Sequence, residues 1–194
     1  MGLGVLILGL AVFLATHLFV TRRDTRAAVI VRIGRPVYHA LFGLVSVAAL
    51  AMIVWGFAEY RAHGWIDIWQ PPAFMRHITV LLMLFAVILF VAAFIPSHIK
   101  AKTKYPMFGA VKTWALAHLL SNGDLGSMLL FATFLAWAVI GRISAKRRAD
   151  AVLPVAPQGW TNDLIVVLVG IVVYLALGYA FHPVVIGVPA FGRA

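Results

Sequence analysis

Apolar residues fill this chain in long, nearly unbroken blocks set apart by short polar gaps, with no sustained alternation. A hydrocarbon layer about 30 Å thick takes roughly 20 residues of helix to cross, or about 17 at the short end. Blocks of that order lie at residues 4–20, 39–57, 77–95, 106–120, 124–140 and 163–181, the fourth being the shortest. They predict an all-α fold, a polytopic membrane helical bundle of about six transmembrane helices. No basic segment precedes the first block and no small-x-small cleavage site follows it, so it is expected to stay attached as a span.

Proline and glycine punctuate the pattern. Pro is tolerated in a first helical turn, and Pro36, Pro106 and the Pro71-Pro72 pair all fall at or just before apolar blocks. In Ser121-Asn122-Gly123-Asp124, Asn122 or Gly123 can end one helix in a left-handed conformation while Asp124 caps the next. Spans four and five are therefore expected to form an antiparallel hairpin. Residues 149–162 carry Pro154, Pro157 and Gly159 and read as a surface loop before the sixth span. No repeat and no second domain is visible, and residues 1–194 read as one membrane domain.

Composition agrees: 63% of residues are hydrophobic, 11% are charged, and mean hydropathy is +1.00. The net charge of +10 does not point to nucleic acid, because the basic residues sit in gaps between spans. Thirteen of the sixteen Lys and Arg fall between spans one and two, between spans three and four with Lys112 included, and after span five. Arg61, Arg76 and Arg193 fall on the other side. The positive-inside rule then puts both ends of the chain outside the cytoplasm, which in a bacterial inner membrane is the periplasm. Trp65 and Trp69 fall in an outer loop, where indole rings favour the headgroup level. With no cysteine, this chain alone supplies no disulfide, iron–sulfur ligand, thiolate nucleophile or covalent c-type haem link.

The candidate chemistry rests on histidine. Seven stand at 17, 39, 63, 77, 98, 118 and 182, none paired i, i+4, which excludes the H-E-x-x-H zinc hydrolase pattern. A site must then be assembled from different helices, and non-covalent haem b in a helical bundle fits such an arrangement. His118 lies one turn after Trp114 inside the fourth span, where an imidazole needs a partner, either a metal or a carbonyl. His17 lies near the inner end of the first span and His77 opens the third. His39, His63, His98 and His182 are placed at helix ends or in loops. Six scattered acidic residues assemble no paired carboxylates or nucleophile–base set, and there is no glycine-rich phosphate loop, so no catalytic residue is assigned. Lys112 can snorkel to the inner surface.

The stretch from Lys104-Tyr105-Pro106 through Trp114-Ala115-Leu116-Ala117-His118 to Gly123-Asp124-Leu125 closely resembles the NnrU family of bacterial membrane proteins. Phe134-Leu135-Ala136-Trp137, Arg147-Arg148, Trp69-Gln70-Pro71-Pro72 and Arg76-His77 fit the same family, and the resemblance covers most of residues 1–148, with five of the spans. That resemblance implies a link to nitrite and nitric oxide reduction in denitrifying bacteria. The family is similar to the 15-cis-zeta-carotene isomerase of plants and cyanobacteria, a haem b membrane enzyme in which redox-dependent exposure of iron is thought to permit polyene isomerisation. Carried over, the family's tryptophan-to-histidine motif falls on Trp114 and His118, and its amino-terminal histidine before a basic pair falls on His17, making His17 and His118 the implied axial ligands. The sequence departs from the family at Tyr105, where a histidine usually precedes the proline.

At about 1.5 Å per residue, His17 and His118 differ in depth by some 20 Å, more than one haem easily bridges. Either the fourth span sits lower in the bilayer or the partner of His118 is His77. Three readings follow: a haem b protein supporting denitrification by electron transfer or as an accessory factor, a haem-dependent isomerase of a carotenoid-like polyene, and a cofactor-free structural partner in a membrane complex.

Overall fold

The computed structural model describes residues 1–148 and 152–191. Ala149, at the head of the expected loop, and Arg193, counted above, lie outside the described residues. The elements are α1 (Gly2–Phe19), α2 (Arg23–Ile33), α3 (Arg35–His63), α4 (Met75–Ala92), α5 (His98–Thr103), α6 (Pro106–Ser121), α7 (Leu125–Lys146) and α8 (Thr161–Ala176), which continues as a π-helical segment, Leu177–Ile186. Five of these helices are long and apolar enough to cross a membrane: α1, α3, α4, α7 and α8 with its π-helical continuation. The fourth expected span, α6, has 16 residues, about 24 Å of rise, because Pro106 and the turn at Gly123 fix its two ends. The helices divide into two compact units, residues 1–70 with 122–144, and 71–121 with 145–194.

In the first unit α1 and α3 run antiparallel. A Cβ on Gly9 would lie 2.9 Å from Ile53 N, and one on Gly56 would strike the Leu6 backbone, so the two helices meet at backbone contact. Lipid tails are as apolar as Leu, so helices in a membrane associate through such close packing rather than through hydrophobic burial. Leu6, Leu10, Phe13, Ala49 and Ile53 form the core, with Leu130, Phe134 and Trp137 of α7 packed on it. Tyr60 is buried, its ring lies against Gly126, and its hydroxyl accepts from Ile66 N at 3.0 Å. Beside it, Ile68 N and Trp69 N donate to Gly123 O at 2.9 and 3.1 Å, and Leu125 N donates to Ile66 O at 2.9 Å. Asp124 caps α7 as expected, its Oδ1 accepting from Ser127 N at 2.8 Å.

In the second unit α4 is the common partner of α6 and α8. Thr79 Oγ1 donates to Ala117 O at 2.8 Å, while Gly109 faces Leu89, so α6 runs back along α4. Tyr174 OH donates to Val80 O at 3.0 Å, and Gly170 faces Ile88, so α8 is antiparallel to α4 as well. At the far end Asp163 Oδ1 accepts from Ile99 N at 3.0 Å, and its Oδ2 lies 2.8 Å from His98 Nδ1. Trp160 stacks on the His98 ring at 4.2 Å.

Candidate functional site

The π-helical segment has a local cause. Pro183 lies inside it, and a proline in a helix interior has no N–H to donate and clashes with the carbonyl four residues back. Widening the helix to i→i+5 spacing absorbs the misfit, and such segments recur at functional sites. The residue before that proline is His182. Its ring centre lies 6.2 Å from that of His118, with the planes 27° apart. A separation of this size leaves room for a metal ion between the two imidazoles, so His118 and His182 are the residues that would hold one.

The hydrogen bonds around the pair suit ligation. His118 Nδ1 lies 2.9 Å from the carbonyl of Trp114, and a carbonyl only accepts, so Nδ1 carries a proton. A ligating histidine is commonly oriented in this way through its other nitrogen. Trp114 also sits against the ring, at 5.4 Å between centres. Nδ1 of His182 is buried and makes no hydrogen bond, and Phe181 stands edge-on beside its ring. Ala115 and Ala117, both fully buried, let α6 seat closely, and the Thr79 bond to Ala117 O holds the turn next to His118.

The family's profile, described as NnrU protein, matches residues 5–190. The chain belongs to the NnrU family. No curated protein and no solved structure matches it. The NnrU match runs past residue 148 through α8 and the π-helical segment, so His182 lies inside the family region together with His17, His77, Trp114 and His118.

The other histidines have separate surroundings. His17, in the first unit, repeats the geometry of His118: its Nδ1 lies 2.9 Å from Phe13 O. Phe13 stacks on the His17 ring at 4.0 Å, with Phe42 and Trp137 at 5.3 and 5.7 Å. His77 is exposed in an open groove of about 640 Å³ whose lining includes Arg76, Ser121 and Phe191. His63 lies 3.5 Å from Glu59, and His39 meets the Tyr38 ring edge-on. At the position where the family usually has histidine, Tyr105 donates to Ala145 O at 3.0 Å. No group of three or more His, Asp or Glu that could hold a metal ion occurs among the described residues.

The proximity of His182 to His118 is not expected from the sequence, which places His182 in an outer loop or at a helix end. Ending the sixth span at Phe181 placed it in an outer loop, yet the apolar run resumes at Val184-Val185-Ile186. A His-Pro dipeptide inside an apolar run was the available signal.

Proposed function

We propose that this NnrU protein is a bacterial inner-membrane haem b protein, with His118 and His182 as the axial pair, that supports nitrite and nitric oxide metabolism by electron transfer or as an accessory factor. The observation that carries the reading is the 6.2 Å separation of the two rings. Haem b, when bound, supplies a one-electron iron couple. His118, its ring held in orientation by the Trp114 carbonyl, would hold the group through Nε2, and His182 would hold it from the π-helical turn. The apolar surroundings lower the local dielectric and thereby tune the couple. Two histidines would hold the haem from the protein side, an arrangement that suits electron transfer better than catalysis at the iron. The link to nitrogen-oxide metabolism rests on the family resemblance, and the periplasmic placement of both chain ends rests on the distribution of basic residues.

The test is the reduced-minus-oxidised absorption spectrum of detergent-purified protein. Sharp b-type bands are expected in the parent protein, with most of the bound haem lost in His118→Ala and in His182→Ala and retained in His77→Ala. Bands that survive His182→Ala but vanish with His17→Ala would transfer the second ligand to His17. A folded, haem-supplemented preparation without bands would overturn the proposal.

A further inference from the structure

At the end of the first unit away from Tyr60, the α2–α3 elbow gathers cationic and donor groups. Residues 20–35 carry Arg22, Arg23, Arg26, Arg32 and Arg35 against one acid, Asp24. The Arg26 guanidinium lies over the Tyr38 ring, 5.4 Å from its centre. Tyr38 is only 7% exposed. Arg26 Nε and the Tyr38 hydroxyl are both buried, and neither makes a hydrogen bond. On α7, Arg142 Nε is also buried without a partner. Arg142 stands a little over one turn beyond Trp137, which packs edge-on against His17 near the same end. Buried donors are ordinarily paired, and leaving one unpaired costs more than the net gain of a typical hydrogen bond.

We propose that this elbow is a binding site for the phosphate of an acidic phospholipid, the neighbouring arginines supplying attraction and Arg26 and Tyr38 becoming its donors as the surface beside them opens. α2 directly follows the first membrane helix and directly precedes the second, which keeps it at the headgroup level. A phosphodiester is acceptor-only and anionic, matching a guanidinium Nε and a phenol hydroxyl that have no acceptor of their own. Juxtamembrane arginines are drawn to anionic headgroups. A soluble anion fits the setting less well, because α2 itself carries exposed apolar surface at Val31, which is 86% exposed.

Native mass spectrometry of the full chain in detergent, titrated with phosphatidylglycerol or phosphatidylcholine, tests this. One phosphatidylglycerol is expected to remain bound preferentially, with its affinity reduced about tenfold in Arg26→Gln and several-fold in Tyr38→Phe. Arg61→Gln, at the other end of α3, should bind as the parent does. Tyr38→Phe removes only a hydroxyl that makes no hydrogen bond, so it remains informative if Arg26→Gln fails to fold. Equal retention of both lipids, equal affinity in the parent and Tyr38→Phe, or full displacement by excess inorganic phosphate would each overturn the proposal.

Discussion

Asp124 holds two oxygens with unlike surroundings. Oδ1 accepts the Ser127 N–H that opens α7, while Oδ2 is buried with no partner. Removing the cap should cost about 1 kcal/mol, typical of an N-cap lost to alanine. Asp124→Asn keeps the acceptor and replaces the orphaned oxygen with an uncharged amide nitrogen, so it should lower stability less than Asp124→Ala. Thermal unfolding of both variants in one detergent checks the order, and equal losses would show that the cap contributes nothing. This role was legible in the sequence because a cap depends on local spacing: Ser121-Asn122-Gly123-Asp124 announces both the end of one helix and the start of the next. His182 was not legible in the same way. Its place beside His118 depends on which residue of α6 comes to face it, a tertiary fact that the pattern of α8 does not contain.

The long helices followed from hydrophobic blocks, but their ends did not. α3 runs from Arg35 to His63 and α7 continues to Lys146, because long basic side chains at span ends can snorkel and leave the backbone helical. α2 and α5 had no apolar block to announce them. α5 forms because Ser97 caps it, accepting from Lys100 N, and because Asp163, distant in sequence, accepts from its first backbone N–H groups. The π-helical segment yields a prediction at this scale. Pro183→Ala restores an N–H and removes the ring clash, so Leu177–Ile186 should relax toward α-helix and rotate His182 by tens of degrees relative to His118. Overall stability should be unchanged or raised, while haem occupancy measured by absorbance should fall several-fold. Undiminished occupancy would show that the widened turn does not position the ligand.

Crossing number decides the topology of the whole chain. Five long helices alone would leave the two ends on opposite sides of the membrane, and six crossings return them to the same side. The hydrogen bonds of residues 66–69 to Gly123 and Leu125 join the loop after α3 to the turn after α6, so a crossing by α4 is expected to be matched by a return through α6, short as it is. Gly2 beside Tyr60 puts the start of α1 at that same end. The side so defined is the one poor in basic residues, which the positive-inside rule assigns to the periplasm. Since the chain has no cysteine, single substitutions report the topology without background. In intact cells a membrane-impermeant thiol reagent should label Gln70→Cys and Val188→Cys, whereas Lys102→Cys and Val152→Cys should label only after permeabilisation. Labelling of Gln70→Cys without Val188→Cys would mean an odd number of crossings and remove α6 or the π-helical end from the membrane. Labelling of the second pair alone would keep the six crossings and invert the orientation.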